Sequence, residues 1–198
     1  MERFTTLTSR TVVLPAANID TDQIIPAQYL TYNPAIPAEY RMFGKYALSS
    51  VPPAQCGLPK GHIPFHSPGD EFVSPYRIII GGKNFGCGSS REHAAWALTD
   101  YGFRAVVSTE IADIFRNNAL KNGLLPVVVE ESAADWLMAH PGVALTIDVA
   151  RCTVALPDGR TGSFPLEAFA RHCLLEGLDE LGFLLARLPD IEAYERRA

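Results

Sequence analysis

Three consecutive isoleucines, Ile78-Ile79-Ile80, constrain this chain more than any other feature. Arg77-Ile78-Ile79-Ile80 is short and β-branched, as a strand covered on both faces of a sheet must be. A glycine-punctuated loop, Gly81 to Gly88, follows directly. Ser89 to Tyr101 then predicts a helix, because Ala94, Ala97, Leu98 and Tyr101 recur at i, i+3, i+4 and i+7. Gly102 supplies the glycine that ends such helices. Ala105-Val106-Val107 is the next strand. Glu110 to Asn122 predicts a second helix with Ile111, Ile114, Phe115 and Ala119 on one face, closed by Gly123. Leu125 to Val129 is a third strand. This alternation predicts a parallel βαβαβ unit with right-handed crossovers.

The flanks differ in character. Residues 10–14, Arg-Thr-Val-Val-Leu, predict a first strand, and the polar run Asn18-Ile19-Asp20-Thr21-Asp22 follows it. Residues 31–76 predict an irregular region. Six prolines and three glycines fall between Val51 and Pro75, which no helix or central strand tolerates. A connection this long usually serves function or presses against a partner. Beyond the unit, Ser132 is expected to cap a helix running to His140. Val143 to Val149 alternates with period two, as a half-buried strand does. Cys152 to Leu156 predicts a hairpin through Pro157-Asp158-Gly159. Leu166 to Glu176 and Pro189 to Arg197 predict closing helices, Pro189 in a first turn. The fold class is α/β: a mixed sheet with a parallel βαβαβ unit and a C-terminal hairpin plus helices.

Composition narrows the function. The 198 residues suit one domain, 1–198, with a sizeable core. A formal charge of −5 argues against a nucleic-acid partner. No apolar run approaches the roughly 18 residues of a membrane span, and the N-terminus lacks a signal-peptide stretch, so a cytoplasmic home is expected. The four cysteines, Cys56, Cys87, Cys152 and Cys173, form no C-x-x-C pair, so no metal or cofactor site is expected on this chain. His62 and His66 stand four apart among prolines rather than on a helix, and His140 and His172 read as surface or capping residues.

Chemistry concentrates in Gly82-Lys83-Asn84-Phe85-Gly86-Cys87-Gly88-Ser89-Ser90-Arg91-Glu92-His93-Ala94. It joins a buried strand to a helix start, where backbone N–H groups are unpaired and attract an anion. Gly86 and Gly88 permit positive φ and close approach. Arg91 can hold a carboxylate or phosphate bidentately, with a hydroxyl, Ser89 or Ser90, at the floor. The phosphate-loop pattern fails because Lys83 precedes the glycines, and the dinucleotide pattern fails because Arg91 stands where its third glycine belongs. The G-x-S-x-G elbow is absent. One serine is also expected to cap the helix, Ser90 with His93 at the third position.

Residues 84–94, Asn-Phe-Gly-Cys-Gly-Ser-Ser-Arg-Glu-His-Ala, resemble the signature of the aconitase superfamily's swivelling domain, in particular the small subunits of isopropylmalate isomerases. Asn18 to Pro26, Ala112 to Ala119 with Asn122 to Pro126, and Leu175 to Asp179 agree with it in order. The resemblance implies a single swivelling β/β/α domain that closes over a large subunit bearing a [4Fe–4S] cluster, in a heterodimer or higher assembly. It implies Ser89 as the catalytic base, Ser90 N–H and Arg91 as holders of a carboxylate of a small dicarboxylate substrate, and Asp22 as the partner of Arg91. It also sets Tyr29, Leu30 and Thr31 against the substrate's distal group. Relatives acting on tricarboxylates carry an arginine there, so uncharged Leu30 and Thr31 favour an isopropyl group. Arg41 and Lys45 could supply a charge instead, which keeps homoaconitate and methylated malates as alternatives. A non-catalytic dicarboxylate-binding module is a further one. Cys87 is expected to pack, not to ligate.

Overall fold

The computed structural model describes residues 2–52 and 76–197. Seven strands form one sheet: β1 (Thr6–Leu14), β2 (Tyr76–Gly81), β3 (Ala105–Ser108), β4 (Leu125–Val128), β5 (Ala144–Asp148), β6 (Thr153–Ala155) and β7 (Thr161–Ser163). Their order is β4-β3-β2-β1-β5-β6-β7. β1 to β4 pair in parallel, while β5, β6 and β7 add antiparallel on the far side of β1. The mixed sheet, the parallel unit and the hairpin thus form as predicted. β1 begins at Thr6, not at residue 10, because its polar half pairs with β5.

The isoleucine run divides the core. Side chains alternate along a strand, so Ile79 enters one apolar cluster with Val12, Phe85, Leu98 and Phe115. Ile78 and Ile80 enter the other, with Val13, Leu145, Ile147 and Leu174. Helices α1 (Thr21–Ile24), α2 (Pro37–Lys45), α3 (His93–Tyr101) and α4 (Asp113–Lys121) contribute to the first. Helices α5 (Glu131–Ala139) and α6 (Ala168–Glu176) contribute to the second. None of the helices is long and apolar enough to cross a membrane among the described residues.

Several boundaries depart from expectation. Helix α2 stands where irregular chain was predicted. Pro37 occupies its first turn, where proline is tolerated, and Gly44 is a contact, not a breaker. Gly44 N–H donates to Asp100 Oδ2 at 2.9 Å, and a Cβ there would lie 2.4 Å from that oxygen. Helix α4 starts at Asp113, and Ile111 instead bridges Phe85. Ile114 is 52% exposed, so it leaves the predicted buried face. Ser132 lies inside α5 and does not cap it; Glu130 holds that position without a side-chain bond. Helix α7 (Glu180–Ala186), capped by Asp179, went unpredicted, and α8 (Leu188–Glu195) begins one residue before Pro189. Cys56, His62 and His66 lie outside the described residues.

Candidate active site

Parallel strands deliver their carboxyl ends to one edge of a sheet, where loops can carry chemistry. Here the loops after β1, β2 and β3 lock together. Gly82 N–H donates to Leu14 O at 2.9 Å, Asn18 N–H to Lys83 O at 2.8 Å and Gly86 N–H to Ile19 O at 2.7 Å. Phe85 exchanges bonds with the third loop, donating to Glu110 O and accepting from Ala112 N–H. Asn18 and Asn84 both sit at φ 59, joined by an amide hydrogen bond of 2.8 Å. Ser108 Oγ, fully buried, donates to Gly82 O at 2.9 Å. A Cβ on Gly82 would meet Ala16 O at 2.3 Å, so only glycine lets the first two loops approach this closely.

The predicted serine turn sits on top of this lock. Ser89 and Ser90 are exposed, and neither hydroxyl has a hydrogen-bond partner among the described residues. The expected serine cap is absent: α3 starts at His93, and Glu92, its N-cap, has helical torsions and no side-chain bond to the helix. Both hydroxyls therefore remain available to a ligand. Arg91 N–H donates to Ser89 O at 2.7 Å, closing a three-residue turn of γ type around Ser90. The Arg91 guanidinium pairs through Nη1 with Asp22 Oδ1, as the resemblance implies. That leaves guanidinium donors besides Nη1 for a second anion. Asp20 caps α1 in a reciprocal box with Gln23, which fixes where Asp22 projects. Cys87 is half-buried, and burial together with the Asp20 charge pushes its thiol up.

Comparison with known proteins gives one answer along the chain. Residues 1–132 match the aconitase C-terminal domain family. A 3-isopropylmalate dehydratase small subunit of Anaeromyxobacter dehalogenans is 52% identical over 98% of both chains. One from Chloroflexus aggregans is 49% identical, covering 98% of this chain and 94% of that one. The chain belongs to the 3-isopropylmalate dehydratase small-subunit family. The crystal structure of 3-isopropylmalate dehydratase from Methanocaldococcus jannaschii superposes with a TM-score of 0.69 at 25% identity, covering 96% of this chain and 99% of that one.

Within this dehydratase family fold, the remaining predicted residues make contacts of their own. Tyr29 ends a 3₁₀ turn (Ala27–Tyr29) and stacks on Tyr46, with ring centroids 3.7 Å apart. Leu30 packs partly against the first core cluster, and Thr31 is exposed. No hydrogen bond or ion pair joins these three to Ser89 or Arg91 among the described residues. Arg41 is engaged by Asp100 at 2.8 Å, and Lys45 lies over the Tyr46 ring. His140 stacks on Trp136 and His172 meets Phe183 edge-on, both as surface residues.

Two contributors escaped the sequence. Thr21 Oγ1 donates to Ser89 O at 3.0 Å, yet a threonine between two aspartates reads as part of a polar turn. His93, two positions past Arg91, packs edge-on to Phe43 and beside Trp96. Burial holds its pKa below the ordinary imidazole value, so near neutral pH it adds no second cation beside Arg91. Its aromatic surroundings become visible only once α2 is known to form.

Proposed function

We propose that this chain is the small subunit of a cytoplasmic isopropylmalate isomerase of leucine biosynthesis. That enzyme interconverts 2-isopropylmalate and 3-isopropylmalate through 2-isopropylmaleate, and this chain handles the proton and one carboxylate. The observation that carries the assignment is the Ser89-Ser90-Arg91 turn, open to solvent and braced from beneath by Asp22 and Thr21. Ser89 Oγ, as the alkoxide, takes the proton from the carbon beside the one bearing the hydroxyl. The C–H electron pair becomes the alkene as hydroxide leaves the neighbouring carbon. Rehydration with the opposite regiochemistry returns the proton and yields the isomer. A serine hydroxyl is a weak acid, so its anion needs nearby N–H groups and the Arg91 charge. Ser90 N–H and the guanidinium hold a substrate carboxylate.

Among the described residues no group of three or more His, Cys, Asp or Glu is arranged to hold a metal ion. A [4Fe–4S] cluster is assigned to a large partner subunit on the family resemblance, where it would supply Lewis-acid chemistry for departure of the hydroxyl. The free thiols of Cys87, Cys152 and Cys173 suit a reducing compartment. Tyr29, Leu30 and Thr31 face the distal group in this proposal. The commitment of Arg41 to Asp100 favours isopropyl over a third carboxylate, which would be left without a cation at Leu30.

The test is reconstitution with a cluster-loaded large subunit. Isomerisation is expected only with both chains present, and Ser89→Ala should lower turnover by about 10²–10⁴-fold. Normal turnover in that variant removes Ser89 as the base. A preference for homoaconitate over isopropylmalate removes the substrate assignment.

A further inference from the structure

The carbonyl oxygen of Ser89 accepts two hydrogen bonds, from Arg91 N–H at 2.7 Å and from Thr21 Oγ1 at 3.0 Å. Thr21 is 1% exposed. A buried hydroxyl must find an acceptor, and near a helix start that acceptor usually lies in the same segment. This one lies in another loop, 68 positions along the chain. Thr21 N–H also donates to Cys87 O at 2.9 Å, so a single residue grips the serine loop on both sides of Gly88. Gly88, at φ +88, is the joint with the least intrinsic restraint.

A peptide is planar and trans, so the C=O of Ser89 and the N–H of Ser90 point in opposite directions. Holding that carbonyl inward on Thr21 turns the Ser90 N–H outward, and among the described residues this N–H has no acceptor. We infer that Thr21 is a positioning residue that aims the Ser90 N–H, and with it the Ser89 side chain, at the substrate. The inference rests on the carboxylate role proposed above for Ser90 N–H. Thr21 touches no substrate; it sets the rotation of the peptide that does.

The experiment compares Thr21→Val, which keeps the shape and loses the donor, with Thr21→Ser, which keeps the donor, in the reconstituted two-subunit enzyme. Thr21→Val should lower kcat/KM by about 10–100-fold and raise the inhibition constant of 2-isopropylsuccinate, a dicarboxylate without the hydroxyl. Thr21→Ser should restore both to near the parental values, even where its melting temperature stays below the parent's. Parental values in Thr21→Val, or a Thr21→Ser variant as impaired as Thr21→Val, overturn the inference. If Ser89→Ala is inactive in the same assay, such a result removes Thr21 alone. If Ser89→Ala is fully active, the site proposal falls and the role of Thr21 with it.

Discussion

In the proposed site Arg91 serves two anions at once, Asp22 from its own chain and a carboxylate of the substrate. Only a planar fork with several fixed donors does this well. Arg91→Lys should therefore raise KM by about tenfold or more, because a point charge cannot replace a charge-assisted, two-sided bond. Asp22→Asn keeps an acceptor and should cost less. Steady-state kinetics of the two variants in the reconstituted enzyme check the order. The Arg91–Asp22 pair was legible because both residues sit in recognisable segments. The capping role assigned to Ser90 was not fulfilled, since a residue's identity does not say where its helix begins. At this edge the γ-type turn at Ser90 delays helical torsions to Glu92.

At the level of elements, Gly86 joins the serine loop to the helix behind it. It sits at φ +77, and a Cβ there would meet Phe115 Cγ at 2.3 Å. Gly86→Ala thus combines backbone strain with a clash against a buried ring, and should destabilise the fold by about 2–4 kcal/mol in urea unfolding. Helix α2 supplies a pH dependence. The Asp100 side chain is 3% exposed. Burial raises its pKa above the ordinary carboxylate value, against the pull of Arg41 and the Gly44 N–H. In the window above about pH 4 the folded chain then binds more protons than the unfolded chain. Its contribution to stability is fullest on the acid side and declines as pH rises through the raised value. Asp100→Asn removes that decline, so its urea midpoint should gain on the parent's from about pH 4 to 7. The helix itself was invisible in sequence because Pro37 and Gly44 weaken a helical pattern locally. What makes it a helix is Phe43 seated among Tyr40, His93 and Trp96, a tertiary contact with no local signature.

For the molecule as a whole, the sheet separates a core that supports the site from one that does not. The isoleucine run made that legible, since a strand apolar on both sides requires cover on both sides. Ile147 belongs to the cluster away from the serine loop. Ile147→Ala should cost about 2–5 kcal/mol of stability and leave kcat per folded molecule unchanged, as measured by unfolding and turnover on the same sample. The interlocked loops carry a consequence for how the chain acquires its activity. Asp22 and Arg91 stand 69 positions apart, and in the folded chain the parallel pairing of β1 with β2 is what brings the two loops together. Nascent chain that has emerged no further than β1 holds half a clamp and nothing to clamp. A ligand that bridges the two loops binds the folded chain in preference to the unfolded one, so it draws that equilibrium toward the paired sheet.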